Sequence, residues 1–192
     1  MSIKILFFAG SSRKQSYNKK LAHAAYEYAK SKGVEATFAD LIDYPMPIMN
    51  EDLEAEEGMP EKAIAFKKLM AAHDGFFIAT PEYNSMFPPL LKNTIDWCTR
   101  THEEGEPSMI AFKGKIAGLA AASEGGLGGI RVLPVLRQQL QNISVMVVPN
   151  QLALSAAHEA FDDQGGLVKD NQRKMLHGVV DQLIETTRKM KG

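Results

Sequence analysis

Apolar residues along the chain follow two patterns that take turns. Four short continuous apolar runs, at residues 3–9, 76–80, 115–123 and 144–148, predict strands buried on both faces. Between them lie segments of helical period. Residues 19–32 carry Leu21, Ala24, Ala25 and Tyr28 on one face and end at Gly33, which predicts a helix with a glycine stop. Further helices are expected at 61–72, 89–100, 128–141 and 171–189. Residues 34–40 read as a shorter, more polar strand suited to a sheet edge. Residues 43–60, with three prolines and the acids Glu51, Asp52, Glu54, Glu56 and Glu57, read as an exposed loop. Asp162-Asp163-Gln164-Gly165-Gly166 reads as a turn, without the carboxylate spacing of a calcium loop.

Strands alternating with helices, joined by right-handed crossovers, give a parallel sheet covered by helices on both faces. Five such units fit the doubly wound α/β order 2-1-3-4-5, with a ligand crevice where the first and third strands diverge. With 192 residues, 45% hydrophobic and 23% charged, the chain suits a single domain, 1–192, with a full core. The net charge of −1 gives no reason to expect a nucleic-acid partner. No apolar run is long enough to cross a bilayer, and no basic head precedes residues 3–9 as a signal peptide would require. The lone Cys98 has no partner for an internal disulfide, so a reducing, cytoplasmic setting is expected.

Candidate chemistry gathers in three loops, each following a strand. Gly10-Ser11-Ser12-Arg13-Lys14-Gln15-Ser16-Tyr17-Asn18 sits at the start of the first helix, where free N–H groups and the helix dipole favour an anion. Ser11, Ser12, Ser16 and Asn18 add neutral donors, and Arg13 can grip phosphate with two parallel bonds. The loop has neither a G-x-x-x-x-G-K-[ST] nor a G-x-G-x-x-G pattern, which points away from a nucleoside triphosphate and from a dinucleotide fingerprint. It reads equally as a polar turn with Ser16 capping the helix.

The second loop, Pro81-Glu82-Tyr83-Asn84-Ser85, has flat faces in Pro81 and Tyr83 and backbone donors at Asn84 and Ser85. Glu82 reads as a residue that fixes backbone N–H groups, not as an acid. The third, Ser123-Glu124-Gly125-Gly126-Leu127-Gly128-Gly129, lets backbone approach a ligand closely; one glycine-rich loop by itself is also an ordinary connector. The five histidines match no metal spacing, and no G-x-S-x-G elbow is present.

Taken in order, G-S-S-R-K-x-S-x-N, then Pro81-Glu82-Tyr83-Asn84 with Leu91-Lys92-Asn93 and Ile95-Asp96-Trp97 behind it, then S-x-G-G-x-G-G, resemble the NAD(P)H-dependent FMN reductase family. This flavodoxin-like group includes quinone-, chromate- and azo-dye-reducing enzymes. The resemblance spans nearly the whole chain, and the second motif is its most specific part.

It implies a phosphate site at Ser11, Arg13, Ser16 and Asn18, and a flavin-ring site at Pro81, Glu82, Tyr83, Asn84 and Ser85, with Ser123, Gly125 and Gly126 near the ring. It further implies FMN as cofactor and NAD(P)H as co-substrate. Hydride would pass to flavin N5 and then to a small acceptor in a ping-pong cycle, with no catalytic side chain. A homodimer or homotetramer is implied too; Met86, Phe87, Trp97, Met109 and Phe112 are expected to supply apolar surface near the cleft, with core as the alternative for some of them, Trp97 included. Glu124 departs from the neutral residue of many relatives. An electron-carrier flavodoxin and a non-catalytic flavin-binding module remain the alternatives.

Overall fold

The computed structural model describes residues 2–192. Five strands form one sheet, parallel throughout: β1 (Lys4–Ala9), β2 (Glu35–Ala39), β3 (Gly75–Ala79), β4 (Ile116–Ala122) and β5 (Met146–Leu154), in the order β2-β1-β3-β4-β5. The helices are α1 (Tyr17–Ser31), α2 (Glu51–Glu57), α3 (Glu61–Ala71), α4 (Pro89–Thr99), α5 (Val132–Asn142) and α6 (Asp170–Lys191).

Successive strand residues face opposite sides, so β1 feeds two cores. Ile5 and Phe7 pack with Leu21, Ala25, Val180 and Leu183 under α1 and α6. Leu6 and Phe8 pack with Phe66, Leu91, Ile95 and Leu136 under α3, α4 and α5. Each fully buried side chain of this size contributes about 1.5–3 kcal/mol relative to exposure. Both faces of β1, β3 and β4 are covered, which is why those strands read as unbroken apolar runs.

The fold class is the expected one, and the departures are local. Residues 43–60 are not all loop: α2 forms there, with Asn50 Oδ1 accepting from Asp52 N at 2.8 Å. No residue of α2 is buried, so it carries no apolar period to be read. Three of its five acids, Glu51, Asp52 and Glu54, lie in the first turn, where the helix dipole favours them. Arg100, at the end of α4, clamps it, Nη2 to Glu54 Oε2 at 2.6 Å.

β5 runs on through Pro149 to Leu154, past the expected end at residue 148. Proline is tolerated on this edge strand beside a register shift between Ala117 and Leu119. Arg137 stabilises the irregular stretch, donating to the carbonyls of Val147 at 3.0 Å and Val148 at 2.9 Å.

The expected apolar surface is also corrected. Trp97 and Phe112 are fully buried, Phe87 is buried and Met109 is half-buried, leaving only Met86 of the five exposed. Trp97 belongs to the helix–sheet core and donates its indole N–H to Pro47 O at 2.8 Å.

Candidate active site

The three candidate loops all leave the carboxyl ends of their strands and meet at one cleft of about 380 Å³. Its walls include Ser11, Arg13, Ser16, Asn18, Pro81, Glu82, Tyr83, Ser123 and Gly125. Asn84, Ser85 and Gly126 complete the same loops without lining that volume.

In the β1–α1 loop, Ser16 is buried and caps α1, its side chain accepting from Lys19 N at 3.4 Å. The first-turn N–H groups of Tyr17 and Asn18 have no acceptor within the helix, and no acid lies in that turn. Ser11 is buried, with its Oγ accepting from Arg13 N at 3.4 Å. The Arg13 guanidinium is exposed and rests 5.3 Å from the ring centre of Tyr17, with no ion pair among the described residues.

Asn18 lines the cleft but does structural work there. Its Nδ2 donates to Ala122 O at 2.9 Å, and its Oδ1 accepts from Ala122 N at 2.8 Å. This reciprocal pair bolts α1 to the end of β4. One amide hydrogen is left over for a ligand.

The β3–α4 loop is a tight hairpin. Tyr83 N donates to Met86 O at 2.8 Å and Met86 N to Tyr83 O at 3.0 Å. Asn84 and Ser85 between them have φ of 51° and 68°, a turn with both central residues left-handed. Serine in that region costs about 1–2 kcal/mol, the kind of local strain that collects at functional sites. The turn leaves the Asn84 and Ser85 N–H groups without partners among the described residues.

Glu82 fixes backbone N–H groups, as expected, but those of another loop. Its Oε2 accepts from Arg131 N at 3.0 Å and Val132 N at 3.3 Å, and its Oε1 pairs with the Arg131 guanidinium at 2.5 Å.

The β4–α5 loop splits its four glycines into two jobs. Gly125 and Gly126 are exposed, and a Cβ on Gly126 would meet nothing within 4 Å. Gly128 and Gly129 are buried with φ of 61° and 83°, and a Cβ on Gly128 would lie 2.7 Å from Leu154 C. Those left-handed residues cannot be helical, so α5 begins at Val132 and not at residue 128. Ser123 Oγ accepts from Gly125 N at 3.1 Å and shapes the start of the loop.

One contact in the cleft was missed by the sequence reading, which noted Glu124 only as a departure from relatives and gave the Tyr17 side chain no role. The Tyr17 hydroxyl donates to Glu124 Oε1 at 3.0 Å across the opening. That bond, followed by partial burial, holds the phenol above its ordinary pKa of 10.0. The partners stand 107 positions apart, so no local pattern announces them.

A family model described as NADPH-dependent FMN reductase matches residues 3–159. An NAD(P)H-dependent FMN reductase of Pseudomonas aeruginosa is 34% identical over 191 residues, covering 99% of this chain and 98% of its own. A 2-hydroxy-1,4-benzoquinone reductase of a Burkholderia species is 32% identical over 184 residues, covering 94% of each. Among solved structures, the flavoenzyme NAD(P)H:(acceptor) oxidoreductase of Paracoccus denitrificans superposes with a TM-score of 0.83 at 28% identity, over 98% of both chains.

Proposed function

The chain belongs to the NADPH-dependent FMN reductase family, and we propose that its three-loop cleft is where it holds FMN and brings NAD(P)H and a quinone-type acceptor to it in turn. The protein is a flavin-dependent NAD(P)H oxidoreductase. FMN supplies the redox chemistry when bound, accepting hydride from nicotinamide and giving electrons to the acceptor in a second half-reaction.

The residues present fit that cofactor. The phosphate end suits the β1–α1 loop, where the N–H groups of Tyr17 and Asn18, the hydroxyls of Ser11 and Ser16 and the unpaired Arg13 converge. These are anion-binding groups at a helix start that has no competing acid. The ring end suits the space between the hairpin and the open glycines. Pro81 and Tyr83 offer flat contact, Asn84 and Ser85 offer N–H groups, and Gly125 and Gly126 leave room for backbone approach. Backbone donors there would favour negative charge on the polar edge of the ring. Glu82 contributes indirectly, by holding the second and third loops together. No side chain in the cleft is asked to act as nucleophile or general base.

The acceptor class follows from the rim. Tyr83 and Met86 of the hairpin and Leu127 and Ile130 of the glycine-rich loop are all exposed, and such apolar side chains on the two ring-side loops suit a flat, weakly polar molecule such as a quinone. The same rim is the surface on which a homodimer or homotetramer would form. No helix among the described residues is long and apolar enough to cross a membrane, and a cytoplasmic setting is proposed from the lone, buried Cys98. We read residues 1–192 as one FMN-binding domain.

The observation that carries this reading is the convergence of three loops, remote in sequence, on one cleft with donors at one end and flat contacts at the other. Purified protein loaded with FMN should show a protein-bound flavin spectrum and oxidise NADH or NADPH with quinone, azo dye or ferricyanide. Protein that neither retains FMN nor oxidises either nucleotide would overturn the proposal.

A further inference from the structure

We propose that Tyr17 and Glu124 form a clasp across the mouth of the cleft that sets how fast FMN enters and leaves. The inference rests on the FMN reading of the cleft and concerns two side chains, the Tyr17 phenol and the Glu124 carboxylate, which that reading does not use.

The two walls of the cleft are joined twice, at different depths, by consecutive residues of α1. At the floor, Asn18 is buried and makes its reciprocal pair with Ala122. At the rim, Tyr17 makes a single hydrogen bond to Glu124, exposed to solvent. The floor contact is buried in the fold and opens only with it. The rim contact is exchanged readily for water.

Glu124 also stands on the exposed arm of the glycine-rich loop. Its two ends are anchored: Ser123 N donates to Leu154 O at 3.0 Å, and Gly128 packs against the backbone at Leu154 and Ser155. Between the anchors, Glu124, Gly125 and Gly126 are exposed, while the Gly125 backbone is held by Ser123 Oγ at 3.1 Å and by Gly128 N at 3.1 Å. Opening the bond to Tyr17 therefore needs only a rotation of the exposed Glu124 side chain, and it leaves β4 and β5 undisturbed. On the other wall, the Arg13 guanidinium lies over the Tyr17 ring and supports the phenol in the position from which it reaches Glu124.

Tyr17 and Glu124 both line the cleft, one next in sequence to Ser16 of the phosphate-side loop and the other next to Gly125 of the ring-side loop. A molecule with its phosphate at one end and its ring at the other must pass the bond between them. The bond exists before the ligand arrives and can re-form after it, so it obstructs both directions. A clasp of this kind changes rates and leaves affinity almost untouched. A residue that simply touched the flavin would instead alter affinity.

The test is stopped-flow flavin fluorescence of the whole protein with FMN, reading association and dissociation rates separately. Tyr17→Phe and Glu124→Ala should each raise both rates by about three- to tenfold, as expected for removing one exposed charge-assisted hydrogen bond. The equilibrium constant should stay within about twofold, and the double variant should be no faster than either single one, because both remove the same bond. Dissociation rising alone, rates unchanged in both variants, or effects that multiply in the double variant would each overturn the clasp. Wild-type protein that takes up no FMN would overturn the clasp together with the cofactor reading. Rate changes that fail in a protein that does bind FMN would overturn the clasp alone.

Discussion

The carboxylate of Glu82, on the loop after β3, accepts the backbone N–H of Arg131 at 3.0 Å, just before α5. Val132 N joins the same oxygen at 3.3 Å. Glu82 thereby does for α5 what a capping side chain does from within the chain, although it lies 49 positions away. No local side chain caps α5.

Removing this tether should loosen helix and cleft together. Glu82→Ala is expected to cost about 1–2 kcal/mol, the usual loss for a helix cap, and to weaken FMN binding because the second and third loops lose their common anchor. Arg131→Ala should cost less than about 1 kcal/mol, since its guanidinium is largely solvated. Chemical denaturation and FMN titration on the two variants separate the cases; equal losses would refute the capping role.

Arg13→Ala should weaken FMN binding by about ten- to a hundredfold, the range for one hydrogen bond to a charged group. Arg13 is exposed and unpaired, so stability should change by no more than about 0.5 kcal/mol. Calorimetric titration beside a thermal melt decides it. An unchanged affinity would mean that the phosphate assignment is wrong.

The four glycines of the third loop should divide by experiment as they do by packing. Gly128→Ala places a Cβ 2.7 Å from the β5 backbone in a left-handed residue, with an expected loss of about 2–5 kcal/mol. Gly126→Ala meets nothing; it should fold within about 0.5 kcal/mol of wild type yet bind FMN less well. Comparable stability for the two variants would contradict the division.

Away from the cleft, Lys67 and Glu106 form an ion pair whose side chains are only 2% and 4% exposed. Lys67 also donates to Arg100 O at 2.5 Å, and His102 stands beside both. Burial pushes the Glu106 carboxyl up, but the hydrogen bond and charge of Lys67 outweigh it, leaving the group below its ordinary 4.5. A carboxylate depressed on folding contributes stability that is present above its unfolded value and lost as pH falls through the folded one. Lys67→Met should therefore cost about 3–5 kcal/mol near neutrality. The gap to wild type should narrow below pH 4.5. Adding Glu106→Leu should recover much of the loss, and a pH series of denaturant melts reads all three effects.

Cys98 is buried, and burial pushes its thiol up to about 12. It should resist thiol reagents in the folded protein and react only on unfolding. Labelling at native rates comparable to a small thiol would show that the helix opens locally.

Much of this was legible beforehand because it rests on short-range signals. Buried parallel strands need residues such as Ile5-Leu6-Phe7-Phe8, apolar on both faces, and that run is visible without any partner. The three loops were visible for the same reason: Ser16 as a cap, Pro81 and the Gly125-Gly126 pair each state a backbone requirement locally. α2 was not, because it buries nothing and is held by Arg100 from another element. The far end of β5 was not, because Pro149 reads as a breaker until the side chain of Arg137 is seen to hold its neighbours.

What the sequence determined by itself was the kind of element, the order of the sheet and which loops face the crevice, since periodicity, chain direction and crossover handedness act locally. Tertiary structure alone decided which side chains are free to meet a ligand. Asn18 binds Ala122, Glu82 caps α5, Trp97 belongs to the core and Tyr17 reaches Glu124. A hydrogen bond depends on separation in space, and only the folded sheet brings residues 49, 104 and 107 positions apart within its reach.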